Sequence, residues 1–112
     1  MSKERFITLA EMHSATDYAN RSSVRQSNSA TDEMRIIVEK AALSGAAEID
    51  FLLELLNHPT AGSWIAFSAL DIAQLTEFQK ARCLAVIRNQ ATSAGTDGLG
   101  AQMWLKDHGF SV

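Results

Sequence analysis

Cysteine and proline are nearly absent from this sequence of 112 residues, which contains one of each. The single thiol, Cys83, has no partner for an internal disulfide, and this favours a reducing compartment such as the cytoplasm. One proline and six glycines are too few turn-forming residues for a β-sandwich or β-barrel. The sequence also lacks the run of about 18 apolar residues that a transmembrane helix needs. Residues 2–5 are polar, so no signal peptide is expected.

Basic residues are missing from the segment 41–79, which contains no lysine or arginine but five acidic residues. Direct binding to nucleic acid requires a basic surface, so we expect none. A basic protein partner would be attracted by such a segment. An ordinary solvated face of a helical domain has a similar composition, and that alternative stays open. The five acids are Glu48, Asp50, Glu54, Asp71 and Glu77.

Apolar residues recur with helical spacing along nearly the whole chain. Phe6, Leu9 and His13 define one such face, and Tyr18 extends it, so this helix is expected to be long. The serine-rich stretch after it interrupts the pattern. The first expected helix is 4–22, and the second runs from a cap at Ser29 to Gly45. The third contains the apolar stripe 49–56 and is ended by Asn57-His58-Pro59-Thr60. The others are 61–75, a fifth capped by Thr76 with Gln79, and 98–108 before Gly109.

This pattern predicts an all-α fold of about six antiparallel helices in a single domain, 1–112. The expected helix pairs are 1–45, 46–75 and 76–109. Two architectures fit the short connections equally well, namely a short solenoid of helix pairs and a compact helical bundle.

Residues capable of chemistry are present, but they do not form a recognisable set. The three histidines lie far apart in sequence and lack the spacing of metal ligands. Cys83 falls on the apolar side of the fifth helix, where burial is more common than reactivity. The glycines at 95, 98 and 100 follow no strand and do not match a nucleotide-binding loop. We therefore expect no catalysis, no metal and no cofactor.

One helix pair has a pattern that points to a known family. Residues 49–56 are rich in leucine, an Asn-His-Pro turn follows, and 64–70 contain the small pair Ser68-Ala69. This segment resembles a HEAT-type repeat, and 78–104 resemble a further, degenerate one. The chain departs from the family where Trp64-Ile65 occupy the usual Val-Arg positions, which affects the regularity of the repeats.

The whole chain is similar to small bacterial HEAT-like proteins, some of which are immunity proteins of contact-dependent inhibition and related toxin systems. This resemblance implies a cytoplasmic protein that binds and neutralises a cognate toxin domain, often a basic nuclease, as a monomer in a 1:1 complex. It implies no membrane association. The alternative is a non-catalytic adaptor or scaffold module of a bacterial assembly.

Candidate partner-binding residues follow from charge and from the helix faces of a HEAT-like stack. Acidic side chains suit a basic partner, and the second helix of each pair tends to line the concave face. Tryptophans are frequent at binding hot spots and are also frequent core anchors. The candidates are Glu48, Asp50, Glu54, Trp64, Asp71, Gln74, Glu77, Gln102 and Lys106.

Overall fold

Six α-helices and one 3₁₀ turn form the protein in a computed structural model that describes residues 2–72 and 74–110. No strand occurs within these ranges, and the predicted all-α class is confirmed. The helices are α1 (Ser2–Ser14), α2 (Arg21–Ser44), α3 (Ala46–Leu53), α4 (Ala61–Ile72), α5 (Glu77–Ala91) and α6 (Thr96–Asp107), and the 3₁₀ turn is Glu54–Asn57.

The first two helices divide the chain differently from the prediction. α1 ends at Ser14, and Tyr18 lies in the following loop with 78% of its surface exposed. α2 begins at Arg21, because the Asn20 side chain accepts hydrogen bonds from the amides of Ser22 (2.9 Å) and Ser23 (3.2 Å). The predicted helix 4–22 and the predicted cap at Ser29 are therefore wrong.

The serine-rich stretch belongs to α2 because its small side chains suit a close helix contact. Ser27 and Ala30 are buried, and α2 packs on α1. Across this contact, Arg5 makes a two-pronged ion pair with Glu33, with N···O distances of 2.5 and 2.9 Å. The guanidinium holds the pKa of the Glu33 carboxyl below its ordinary value. The loss of apolar periodicity was therefore a sign of close packing and not of a helix break.

His58 and Pro59 end one element and also begin the next. The Nδ1 atom of His58 accepts hydrogen bonds from the amides of Thr60 (3.1 Å) and Ala61 (3.0 Å). The amide of Gly62 donates to the His58 carbonyl at 3.0 Å, across the turn that leads into α4. His58 thus caps the turn at the start of α4, and Pro59 lies within that turn, where its missing N–H costs nothing. The sequence pattern predicts only that His58 ends the preceding helix.

Gly62 allows α4 to pack directly on the 3₁₀ turn. A Cβ atom at this position would lie 2.5 Å from the carbonyl oxygen of Leu56 and 3.3 Å from that of Leu55. Both atoms belong to the backbone, so they cannot swing aside. Any larger residue would therefore have to move the helix.

The last two helices follow their sequence signals closely. Thr76 and Gln79 form the predicted capping box at the start of α5, with both hydrogen bonds at 3.1 Å. α6 ends at Asp107, and Gly109, whose φ of +78° suits glycine, follows the cap residue His108. The amide of Phe110 donates to the carbonyl of Leu105 (2.8 Å) and that of Gly109 to Lys106 (3.1 Å), which is a Schellman motif.

The buried apolar residues form one cluster with contributions from all six helices. Each helix packs on its neighbour in sequence, and α1 and α2 also contact α4. This arrangement is consistent with a helical bundle. Within the two described ranges, no helix combines the length and apolarity needed to span a bilayer. Fully buried members include Phe6, Leu9, Met34, Leu52, Leu53, Ile65, Ile87 and Leu105.

Candidate functional site

The acidic residues of 41–79 are partly offset by bases from elsewhere in the chain. The Asp50 carboxylate lies 3.6 Å from the Arg82 guanidinium and 3.5 Å from the Gln79 amide nitrogen. Glu54 accepts a hydrogen bond from the Lys3 ammonium at 3.0 Å. Two of the predicted partner-binding acids are thus engaged within the protein, and the folded surface is less acidic there than the sequence indicates.

The remaining predicted acids differ in their surroundings. Asp71 lies 3.4 Å from Nε2 of His108, which is a charge pair only when that histidine is protonated. Glu48 and Glu77 are exposed, and neither forms an ion pair with another residue in the described ranges. Gln74 is exposed just beyond the end of α4. The five acids therefore differ in how far their charge is offset within the protein.

One side of α4 carries two large aromatic rings that pack against the edge of the core and keep part of their surface exposed. Helical spacing places Ser63, Trp64, Phe67 and Asp71 on this side, which we call the α4 face. Both rings are half-buried, so each still presents surface to solvent. The Trp64 ring packs edge-on against His13 of α1, with centroids 4.5 Å apart. The tryptophan is therefore held between His13 and the edge of the core, with part of its ring still exposed.

A second group of rings borders the α4 face on the side of α6. Phe67 meets Trp104 edge-on at 5.3 Å, and the His108 ring stacks on Trp104 at 4.0 Å. Phe110 stacks on the same indole at 6.0 Å. Trp104 thus connects α6 to α4. The sequence could not reveal this contact, because Phe67 and Trp104 lie 37 positions apart.

The two predicted candidates in α6 make other contacts. Gln102 donates from its amide nitrogen to the Ala91 carbonyl at 2.8 Å, which ties α6 to the end of α5. Lys106 is exposed, and helical spacing places it on a different side of α6 from Trp104. The structure thus brings Trp64 and Asp71 onto one face and leaves the other predicted residues distributed over the surface.

A cavity of about 660 Å³ lies at the N-terminal end of the α4 face. The end of α1, the loop after it, the start of α4 and the end of α5 contribute to its walls. We call it the aromatic cavity. Its lining consists of His13, Ser14, Tyr18, Pro59, Thr60, Ser63, Trp64, Phe67, Gln90 and Ser93.

Sequence reasoning missed most of this cavity. It selected Trp64 alone and placed Tyr18 on the apolar face of a longer first helix. An aromatic residue within a polar stretch, Asp17-Tyr18-Ala19-Asn20, is the signal that could have identified an exposed ring.

The cysteine and the three histidines, which are the side chains best suited to nucleophilic attack or proton transfer, make packing or capping contacts. Cys83 is fully buried, and burial raises the pKa of its thiol to about 11, with a small opposing effect from Arg82. His13 packs on an indole, His58 caps α4, and His108 stacks on Trp104. Among the described residues, no three metal-ligating side chains come together.

Comparison with known proteins identifies no relative. No protein-family model matches the chain, and neither a curated protein nor a solved structure shows significant similarity to it.

Proposed function

We propose that the protein is a non-catalytic binding module that docks a partner protein on the α4 face. The observation that carries this proposal is the pair of half-buried rings of Trp64 and Phe67 at the edge of the core, beside the exposed Tyr18. Binding hot spots are enriched in tryptophan and tyrosine, because these rings bury much apolar area with few rotatable bonds. Trp64 is also held by His13, so little side-chain freedom remains to be lost on binding.

The partner that we propose is a cognate toxin domain, bound 1:1 in the cytoplasm and thereby neutralised. The resemblance of 49–70 to a HEAT-type repeat of bacterial immunity proteins is the reason for this choice. A basic nuclease would be drawn to the net charge of −3 and to the exposed side chains of Glu48 and Glu77. In this proposal the rings supply most of the affinity, and the acids mainly raise the association rate.

An adaptor module is the second candidate, and the internal ion pairs favour it. Asp50 and Glu54 already have basic partners in the same chain, which reduces the surface charge left for a basic nuclease. An adaptor would use the same α4 face with a partner of no particular charge. Binding would then depend little on salt.

The experiment begins with capture of partners on the tagged protein, identification by mass, and reconstitution with the purified partner. Calorimetric titration at low and high salt then measures affinity, and an activity assay of the partner measures inhibition. A 1:1 complex that abolishes the partner's toxicity supports the immunity proposal. A partner that remains active in the complex supports the adaptor instead.

A matched pair of variants tests the docking face in the same assay. Tyr18→Ala removes an exposed ring from the aromatic cavity, and Phe78→Ala removes a ring of similar exposure (73% against 78%) beside α3. We expect the first variant to weaken the complex by about fivefold or more, which is about 1 kcal/mol or more and exceeds the cost at most interface positions, and the second to leave it within about twofold. Equal effects of the two variants would contradict docking on the α4 face.

A further inference from the structure

The aromatic cavity differs from the rest of the surface in its chemistry. Its volume of about 660 Å³ lies within the range of ligand pockets, roughly 300–1,000 Å³. Three rings, from Tyr18, Trp64 and Phe67, contribute to its wall. The remaining lining is mostly hydroxyl-bearing, and no lysine, arginine, aspartate or glutamate lines it within the described ranges.

The absence of charged walls restricts what can enter. A charged group placed in the cavity would find no counter-ion among these walls, so charge complementarity favours a neutral group there. The occupant should therefore be uncharged where it lies against the rings. This distinguishes the aromatic cavity from a surface pocket beside α3, whose walls include the charged residues Asp50 and Arg82.

Hydrogen-bonding groups in the cavity restrict the occupant further. The hydroxyls of Ser14, Thr60 and Ser63 can donate to carbonyl oxygens, and flat rings lie beside them. A polyproline II segment has carbonyls with no internal hydrogen bonds, and its rings pack well on aromatic side chains. It is also ordered before binding, so less conformational entropy is lost.

We propose that the aromatic cavity binds an uncharged, proline-rich segment of a partner protein in the polyproline II conformation. This inference rests on the proposed function, since it names the part of the partner that the α4 face receives. Tyr18 and Trp64 supply the rings against which the prolines pack.

The test uses the full chain and two uncharged peptides with blocked termini. The first is a proline-rich peptide of about ten residues, long enough at about 3.1 Å per residue to cross the cavity. The second has the same length, with serine and glycine in place of proline. Tryptophan fluorescence and calorimetry follow the titrations of the wild type, Tyr18→Ala and Phe78→Ala.

We expect saturable binding of the proline-rich peptide alone, weakened by about fivefold or more in Tyr18→Ala and by less than about twofold in Phe78→Ala. Raising the salt concentration should leave the affinity within about twofold of its low-salt value, since the proposed contact involves no charged groups. Equal binding of both peptides, or binding of neither, overturns the proposal. Binding of a neutral oligosaccharide in place of the peptides also overturns it and assigns the cavity to sugars.

Failure of this inference can be separated from failure of the proposed function. If neither peptide binds but Tyr18→Ala still weakens the complex with the captured partner, the α4 face remains the docking surface and only the peptide class is wrong. If the captured partner binds Tyr18→Ala as well as it binds the wild type, both proposals are wrong.

Discussion

Replacing Gly62 with alanine should destabilise the protein, although alanine is the better helix former by about 1 kcal/mol. The added Cβ would lie 2.5 Å from the Leu56 carbonyl oxygen, and ordinary contact begins at 3.4 Å. The first turn of α4 must therefore move by roughly 1 Å, and overpacking of this kind costs about 1–3 kcal/mol or more. The obstructing atoms belong to the backbone, so the clash cannot be relieved by moving a side chain. We expect a net loss of about 2 kcal/mol in the free energy of unfolding.

Gly100 provides the matched control for this substitution. It also lies within a helix, but a Cβ atom there would meet nothing within 4 Å. Gly100→Ala should therefore stabilise the protein by about 0.5–1 kcal/mol, through helix propensity and a less flexible unfolded chain.

Thermal unfolding followed by circular dichroism measures both variants. For a domain of this length, 1 kcal/mol corresponds to about 4 °C in Tm, so Gly62→Ala should lower Tm by about 8 °C and Gly100→Ala should raise it by about 2–4 °C. If Gly62→Ala raised Tm as much as Gly100→Ala does, the direct packing of α4 on the 3₁₀ turn would be refuted.

Three further predictions concern single side chains. His58→Ala should lower the free energy of unfolding by about 1 kcal/mol through loss of the α4 cap, and His58→Asn should keep most of the wild-type stability. Equal denaturation midpoints for the wild type and His58→Ala would contradict the capping role. Cys83 should react with a thiol reagent at pH 8 only as fast as the protein unfolds, because its thiol is buried and has a pKa of about 11; rapid labelling of the native protein would contradict this. The double variant Glu48→Lys with Glu77→Lys should slow association with a basic partner at low salt and leave dissociation nearly unchanged; a faster dissociation rate would place these acids inside the interface.

Elements with strong local signals were predictable from the sequence. The capping box at Thr76 and the glycine at 109 act within a few residues, so their partners are visible in the sequence itself. The start of α2 was not predictable in this way. Its serines weaken the apolar pattern, and Ser27 is buried only through the packing of α2 on other helices, which no local pattern shows.

The candidate site was predictable only in part, because it depends on contacts between distant helices. Trp64 was identified, but the packing of Phe67 on Trp104 and of His13 on Trp64 joins elements that no sequence pattern relates. The acidic segment was visible in the sequence. Its partial neutralisation was not, since Lys3 and Arg82 reach it only through the fold.

The most direct test of docking on the α4 face is a nuclear magnetic resonance cross-saturation measurement. The protein is isotopically labelled, its captured partner is not, and saturation passes only to residues in contact. Docking on the α4 face predicts the largest intensity losses at Tyr18, Ser63, Trp64 and Phe67. Losses concentrated instead at Glu48 and Asp50, with these four residues unchanged, would contradict it.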